Sequence, residues 1–256
     1  MKLGFIGTGN IVSDVVAGIC KSKISFKKII ISPRNKDKAQ KLKRTFKKVI
    51  IAKNNQDVID NSDWVFLGLL PQVGEKILPK LKFKNKQVIV SFISTINYAQ
   101  LKKIVKKKLK IVRAIPMPPI RLGKGPVVIF PPDKKVKNFF NKLGDVIEIK
   151  KENLSLNFWT TSSMMAPFYE ILQTLSLWLI KKGVKRENAQ KYITSLFVAL
   201  SEDAFKKSKD LKRLVKESQT PKGLNEQSVN ELRKLGFYKS LNHTAEKVLK
   251  RLKNTK

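Results

Sequence analysis

Two glycines near the start of the chain, Gly7 and Gly9, have the spacing of a turn that holds a phosphate group. The apolar run before them is typical of a buried strand, and apolar residues recur with helical periodicity from Ile11 onward. A helix N-terminus offers free backbone amides and a partial positive charge, which glycine lets a phosphate approach. The pattern therefore predicts a dinucleotide-binding turn, with a glycine turn that binds nothing as the alternative. Val12 occupies the third, usually small position of G-x-G-x-x-G/A, so we expect looser packing of helix on strand there.

The end of the second predicted strand, 27–32, bears on which dinucleotide would bind. An acidic residue there accepts a hydrogen bond from the ribose 2′-hydroxyl of NAD, whereas a basic residue accommodates the 2′-phosphate of NADP. This chain has Ser32 and Arg34 at that point, with no carboxylate before Asp37. We therefore expect NADP (as NADPH) over NAD. A basic loop with no cofactor role is the alternative in so lysine-rich a chain.

These residues need a scaffold, and short apolar segments alternate with helical patterns from residue 2 to about 115. This alternation predicts an α/β fold, a Rossmann-type doubly wound parallel sheet whose carboxyl edge carries the cofactor crevice. A strand at 127–130, a helix at 133–143 and a strand at 146–149 would complete the domain. We place this NADP-binding domain at residues 1–152.

From Leu154 onward the apolar residues recur at three- and four-residue spacing, which predicts an all-helical second domain at 153–256. The predicted helices are 154–182, 187–208, 211–217 and 226–253. The first is apolar on most faces, and a bundle of this size could not bury all of them within one chain. We therefore expect a C-terminal dimerisation domain and a homodimer or higher homo-oligomer.

The composition excludes several classes of function. The formal net charge is +35, but 46 lysines and eight arginines are spread over every segment, which indicates a solvated surface and no specific nucleic-acid partner. One cysteine, Cys20, and one histidine, His243, exclude metal sites rich in either residue, so we expect no metal. No apolar run is long enough to span a bilayer and no cleavable leader is evident, so we expect a cytoplasmic protein with no membrane contact.

Six segments, in chain order, resemble the pyrroline-5-carboxylate reductase family, whose members make proline by transferring hydride from NAD(P)H to a cyclic imine. Gly-Phe-Ile-Gly-Thr-Gly-Asn is similar to the family's opening turn, Leu-Leu-Pro-Gln to its Val-Lys-Pro-Gln loop, and Arg-Ala-Ile-Pro to the start of its Arg-x-Met-Pro-Asn-Thr-Pro loop. Ala-Pro-Phe-Tyr resembles part of the family's long dimer helix. The six segments lie at 4–10, 69–72, 90–91, 112–116, 166–170 and 217–223.

The resemblance and the glycine turn together give the expected cofactor contacts. These are Gly7, Thr8, Gly9, Asn10, Ile11, Ser32, Arg34, Asn55, Leu69, Leu70 and Pro71. The resemblance also implies a substrate loop that holds a carboxylate, together with the proline-rich loop. The substrate contacts so implied are Met117, Pro118, Thr220, Pro221, Lys222, Gly223, Leu224 and Asn225.

This chain departs from the family pattern mainly on the substrate side. Leu224 and Asn225 stand where the family has two threonines, and Lys222 replaces the second glycine of a pair. Met117 and Pro118 replace an asparagine and a threonine. In the Lys-Pro-Gln loop the lysine is replaced by leucine. The cofactor half is therefore kept, whereas the substrate half is rewritten.

We therefore expect an NADPH-dependent oxidoreductase acting on a small-molecule cyclic imine, foremost 1-pyrroline-5-carboxylate. An iminium substrate carries its own proton, so catalysis would rest on orientation, with Thr220 and Tyr169 as candidate catalytic hydrogen-bond donors. A packed or capping residue is the alternative for each of them. The alternatives for the whole chain are a reductase for another imine or carbonyl, and a noncatalytic NADP-binding relative.

Overall fold

The computed structural model describes residues 1–106, 108–207 and 210–254. Ser208, the predicted end of the second long helix, and residues 255–256 of the predicted second domain lie outside the described residues. The chain divides into two compact units, Met1–Trp159 and Thr160–Asn254. None of the helices in the described part of the chain is both long and apolar enough to cross a membrane.

The first unit contains an eight-stranded sheet with strand order β3-β2-β1-β4-β5-β6-β7-β8. The strands are β1 (Lys2–Ile6), β2 (Lys28–Ile31), β3 (Val49–Ile51), β4 (Trp64–Leu67), β5 (Val88–Ser91), β6 (Lys110–Ile115), β7 (Pro126–Phe130) and β8 (Asp145–Glu148). The helices are α1 (Asn10–Lys21), α2 (Lys36–Thr45), α3 (Asn55–Asp60), α4 (Pro71–Ile77), α5 (Tyr98–Val105) and α6 (Lys134–Phe140). The predicted Rossmann-type α/β fold is confirmed.

Every neighbouring pair from β3 to β6 is parallel, whereas β7 runs antiparallel to β6, and β8 runs parallel to β7. The parallel sheet predicted from residues 2 to about 115 is therefore confirmed for β1 to β6, and the antiparallel pair lies beyond it. A parallel pair needs a crossover of a dozen or more residues, and only a short 3-10 helix, Pro118–Leu122, lies between β6 and β7. The strand order reverses between β1 and β4, which makes their carboxyl ends the switch point of the sheet.

Alternate residues of the strands enter two separate apolar clusters, as the two-residue period of a strand requires. Phe66 of β4 joins the cluster that contains α1, α2 and α6, whereas its neighbours Val65 and Leu67 join the cluster that contains α3 and α5. Phe5 and Phe66 stack on adjacent strands with their ring centroids 4.5 Å apart. The sheet therefore carries helices on both faces, and its buried rows fix where the strand ends lie.

In the described residues of the second unit, helices joined by turns and loops are the regular structure, which confirms the predicted helical domain. Its helices follow α7 (Ser155–Ser162), which begins in the first unit, and are α8 (Met165–Lys181), α9 (Arg186–Lys206), α10 (Leu211–Glu217), α11 (Leu224–Lys234) and α12 (Phe237–Asn254). Two long helices were predicted where four are found. The helix at 154–182 breaks before Pro167, because proline has no N–H for the carbonyl four residues back and its ring clashes there. The helix at 226–253 breaks at Gly236, which has a φ of +73°.

Candidate functional site

The glycine turn lies between the carboxyl end of β1 and the first residue of α1. Gly7 has a φ of +96°, and a β-carbon there would also clash with the carbonyl oxygen of Gly68 after β4. Only glycine meets both conditions. The turn is therefore fixed against the neighbouring strand end at the switch point of the sheet.

The N-terminus of α1 is open and carries no internal cap. Gly9 is the N-cap residue and has no side chain to bond the first-turn amides, and the first turn contains no acidic residue. Ser13 donates to the carbonyl of Gly9 at 3.0 Å, so the amides before it lack an intrahelical acceptor. A β-carbon placed on Gly9 would meet nothing within 4 Å. Space, free donors and the helix dipole thus fit the pyrophosphate of a dinucleotide.

Two buried hydroxyl groups hold the turn to the end of β2. The N–H of Gly7 donates to Ser32 Oγ at 2.9 Å, and Thr8 Oγ1 donates to the Ser32 carbonyl at 2.7 Å. The two hydroxyl oxygens are 3.2 Å apart. Thr8 and Ser32 were predicted as cofactor contacts. The structure places both beside the turn, where their hydroxyls shape the backbone that faces the ligand.

Beyond β2 the chain presents cations. Arg34 is exposed, and Asn35 caps α2 by accepting from the N–H of Lys38 at 3.2 Å. The ammonium of Lys38 donates to Oδ1 of Asn10, the first residue of α1. Lys38 was not among the cofactor contacts predicted from the sequence. Its spacing of four residues from Arg34 was the only pattern that could have indicated it. The structure therefore brings a lysine of α2 to the open end of α1.

Val12 does not loosen the packing of α1 on the sheet, contrary to the sequence expectation. Its side chain is fully buried, and its Cγ2 fills the space that a β-carbon on Gly68 would need. The small residue that permits close packing is therefore Gly68, which follows β4. The third position of the glycine motif, in α1, is occupied by Val12. The sequence prediction did not include a glycine at the end of a strand that could make room for Val12.

The loop after β4 also reaches the turn. The side chain of Leu69 lies near Gly7, whereas Leu70 is 74% exposed and precedes Pro71, the first residue of α4. Asn55, another predicted contact, begins α3 after the edge strand β3, which β2 separates from β1. The structure thus gathers most of the predicted cofactor residues at one sheet edge, with Asn55 two strands away.

The proline-rich loop packs on α1. A β-carbon at Gly18 would clash with the carbonyl oxygen of Ile120, so the glycine permits this close approach of loop and helix. Arg121 lies 3.8 Å from the carboxylate of Asp14 on α1. Burial raises the pKa of Asp14, with Arg121 and Lys38 acting in the opposite direction. Met117, a predicted substrate contact, is half-buried where this loop leaves β6.

A largely buried ion pair lies at the carboxyl end of β6, on the same edge of the sheet. Arg113 on β6 pairs with Glu152 and donates to the carbonyl of Ser94 at 2.7 Å, and its guanidinium lies 5.1 Å from the ring centre of Trp159. The same carboxylate accepts from the N–H of Tyr98 at 2.7 Å. Burial lowers the pKa of Arg113, and Glu152 acts in the opposite direction. Arg113 thus ties the loop after β5 to the start of α5.

The remaining predicted substrate residues lie in the second unit, in a loop that leads into α11. Lys222 has a φ of +61°, and its N–H donates to Glu226 Oε2 at 2.7 Å. Asn225 donates through its side chain to the carbonyl of Ser218 at 2.8 Å, which closes the loop. Gly223 is the N-cap of α11 and provides no side-chain cap. The N-terminus of α11 therefore has no side-chain cap from Gly223, but its first turn contains the carboxylate of Glu226, unlike the first turn of α1.

The two candidate hydrogen-bond donors also belong to the second unit. Thr220 begins the loop, and its hydroxyl has no hydrogen-bond partner among the described residues. Tyr169 lies in the first turns of α8, is 54% exposed and packs beside Phe168. The hydroxyl of Tyr169 likewise has no hydrogen-bond partner among the described residues. In the described part of the chain, no three His, Cys, Asp or Glu side chains form a cluster that could hold a metal ion.

Known proteins resemble the chain along nearly its whole length. Residues 2–98 match the family model described as NADP oxidoreductase coenzyme F420-dependent, and residues 153–255 match that for pyrroline-5-carboxylate reductase dimerisation. The pyrroline-5-carboxylate reductase of Corynebacterium melassecola is 22% identical, over 96% of each chain.

Two solved structures share the fold. The 1-pyrroline-5-carboxylate reductase of Streptococcus pyogenes superimposes with a TM-score of 0.83 at 24% identity, covering 99% of this chain and 98% of the other. The pyrroline carboxylate reductase of Plasmodium falciparum, solved with NADP bound, gives 0.84 at 21% identity, covering 99% and 97%.

Proposed function

Because the chain belongs to the pyrroline-5-carboxylate reductase family, we propose that it reduces 1-pyrroline-5-carboxylate to proline with NADPH. The strongest support is one structural fact. An open, uncapped glycine turn lies at the switch point of the sheet, in a chain that continues into that family's dimerisation segment. NADP in the Plasmodium falciparum structure and the basic residues after β2 support NADPH over NADH.

The residues of this chain then have separate tasks. Bound NADPH supplies a hydride, which adds to the carbon of the substrate C=N bond. The first-turn amides of α1 bind the pyrophosphate, and Arg34 contributes a cation for the 2′-phosphate. The open N-terminus of α11 receives the substrate carboxylate through backbone amides. Thr220 and Tyr169 orient the ring by hydrogen bonding, because the protonated imine needs no separate acid.

A second candidate is a reductase for a less polar imine or carbonyl compound. Two apolar side chains favour it, since Leu70 is 74% exposed and Leu224 is 82% exposed in loops where the family resemblance has lysine and threonine. Apolar side chains so exposed are available to contact a ligand or a partner. This candidate keeps the same cofactor and differs only in the substrate.

We propose a homodimer or larger homo-oligomer built through the second unit. Several large apolar side chains of α8 and α9 are exposed in the single chain, and burying them would stabilise an assembly. They include Leu177, Trp178, Tyr192, Val198, Leu200 and Phe205. We further propose 1–152 and 153–256 as the functional domains, and a cytoplasmic location, which suits a chain with one unpaired cysteine.

A panel of cyclic imines and carbonyl acids, assayed with NADPH and with NADH, tests the function. We expect oxidation of NADPH with 1-pyrroline-5-carboxylate and loss of kcat in Thr220→Val. Thr194→Val, in which the removed hydroxyl bonds only within α9, is the matched control. Turnover of a different compound alone would favour the second candidate. Tight NADPH binding with no turnover would instead identify a noncatalytic relative.

A further inference from the structure

Glu226 places a carboxylate of the chain in the loop that the proposed function gives to the substrate carboxylate. It is half-buried and is the acidic residue in the first turn of α11. Its Oε2 accepts from the N–H of Lys222 at 2.7 Å, immediately before the N-cap residue Gly223. One amide donor of the loop is therefore already bound to an internal carboxylate.

Few donors of the loop remain free for a ligand. The N–H of Gly223 donates to the carbonyl of Thr220 at 2.8 Å, which closes the turn. The amides at 224–226 have no acceptor among the described residues, as expected for the first turn of a helix. An arriving anion can therefore bind these first-turn amides, but it finds the amide of Lys222 occupied.

The charge of Glu226 also acts against an arriving carboxylate. Two carboxylates within one helical turn repel each other, and both draw on the same partial positive charge of the helix N-terminus. Glu226 forms no ion pair with a cation among the described residues, so no fixed countercharge offsets it. A substrate carboxylate therefore loses one donor and part of the favourable field of the helix.

The neighbouring side chains do not replace what a substrate carboxylate loses. Leu224, which is 82% exposed, and Asn225 stand where the family resemblance has two threonines. Leucine has no donor, and the side chain of Asn225 donates to the carbonyl of Ser218 at 2.8 Å. The side chain of Lys222 is exposed, where an ion pair contributes little. Apolar ring atoms, by contrast, gain contact with Leu224.

We propose that Glu226 determines substrate specificity by weakening the recognition of a carboxylate on the substrate ring. The chain then reduces a cyclic imine without a carboxylate, such as 1-pyrroline, with a kcat/KM close to that for 1-pyrroline-5-carboxylate. 1-Pyrroline needs no amide of the loop and meets no like charge there. This inference rests on the proposed function, in that it requires the chain to reduce a cyclic imine whose ring lies at this loop.

Steady-state kinetics with NADPH test the proposal. The kcat and KM for 1-pyrroline-5-carboxylate and for 1-pyrroline are measured for the wild type, Glu226→Gln and Glu231→Gln. Glutamine keeps an oxygen that accepts from the N–H of Lys222 and removes only the charge. Glu231, exposed on the same helix and paired with Lys234 at 2.9 Å, is the matched control. We expect Glu226→Gln to lower KM for the carboxylated imine by about threefold, the effect of removing one like charge at a partly exposed position. KM for 1-pyrroline should stay the same, and Glu231→Gln should change neither value.

Product inhibition gives a second measurement, which does not depend on the imines. Proline, which has the carboxylate, should inhibit Glu226→Gln more strongly than the wild type, whereas pyrrolidine should inhibit both alike.

Glu226→Ala separates this role from a structural one, because it removes the acceptor as well as the charge. If Glu226 only supported the loop, Glu226→Ala would lower kcat for both imines alike and Glu226→Gln would match the wild type. That pattern would overturn the proposal, as would an equal change in KM for both imines in Glu226→Gln. In either case an active wild type would leave the proposed function standing. If the wild type oxidised NADPH with neither imine, the proposed function would fail, and this inference with it.

Discussion

The Arg113–Glu152 pair allows a prediction in which the ranking of two variants follows from their unequal burial. The Arg113 side chain is 6% exposed, whereas that of Glu152 is 26% exposed. Glu152→Gln leaves a guanidinium buried without its counter-charge. Arg113→Met removes the buried charge and leaves a carboxylate that water reaches and that still accepts from the N–H of Tyr98. We therefore expect Glu152→Gln to be the more damaging change.

The size of the effect follows from the contacts. Breaking a buried ion pair by removing one partner costs about 3–5 kcal/mol, and the partial exposure of Glu152 places Glu152→Gln near the lower limit, about 3 kcal/mol. Arg113→Met loses the bond to the Ser94 carbonyl and the contact with Trp159, which together cost about 1–2 kcal/mol. The double variant contains no buried charge, so its stability should match that of Arg113→Met and exceed that of Glu152→Gln.

Urea unfolding followed by tryptophan fluorescence measures all four proteins. A loss of about 3 kcal/mol corresponds to a midpoint lowered by about 1 M or more. The double-mutant cycle should give a strongly favourable interaction between the two side chains. The reasoning is refuted if Arg113→Met is the less stable single variant, or if the two losses simply add in the double variant.

Three other predictions concern the same unit. Gly68→Ala should destabilise it by about 1–3 kcal/mol through overpacking against Val12, and adding Val12→Ala should restore most of that loss in urea unfolding. Burial alone would raise the pKa of Asp133, but its bonds from Lys110 and two α6 amides lower it. Asp133→Ala should therefore cost about 1 kcal/mol at neutral pH, and the difference from wild type should shrink as the pH falls below about 4. Burial raises the pKa of Cys20 to about 11, so alkylation of the native protein by iodoacetamide should keep accelerating up to that pH.

The fold could be predicted where local patterns act alone. α10 at Leu211–Glu217 has the predicted bounds, because it is a short apolar pattern at helical spacing. The antiparallel direction of β7 was not predicted, although the short segment between β6 and β7 cannot carry a parallel crossover. Pro167 and Gly236 are local signals for a helix break. The apolar periodicity that runs across each of them nevertheless predicted one continuous helix.

The cofactor turn shows the same division between local and tertiary information. Gly7 and Gly9 follow from spacing, because a phosphate-binding backbone demands them. Lys38 and Gly68 matter only through residues brought to them by the sheet, namely Asn10 and Val12. Such pairings join segments 28 and 56 residues apart, so no periodicity within either segment contains them.

The loop before α11 holds one residue in a left-handed backbone conformation that a side chain makes costly. Lys222 stands where the resemblance has glycine, yet it keeps a left-handed backbone that costs a side-chain-bearing residue about 1–2 kcal/mol. The bond from its N–H to Glu226 and the bond from Asn225 to the loop backbone hold it there. Under the proposed function, the substrate carboxylate would meet the first amides of α11 in this loop, with the carboxylate of Glu226 in the same turn. Under the same proposal, the exposed Leu224 would bear on what is recognised beyond that carboxylate.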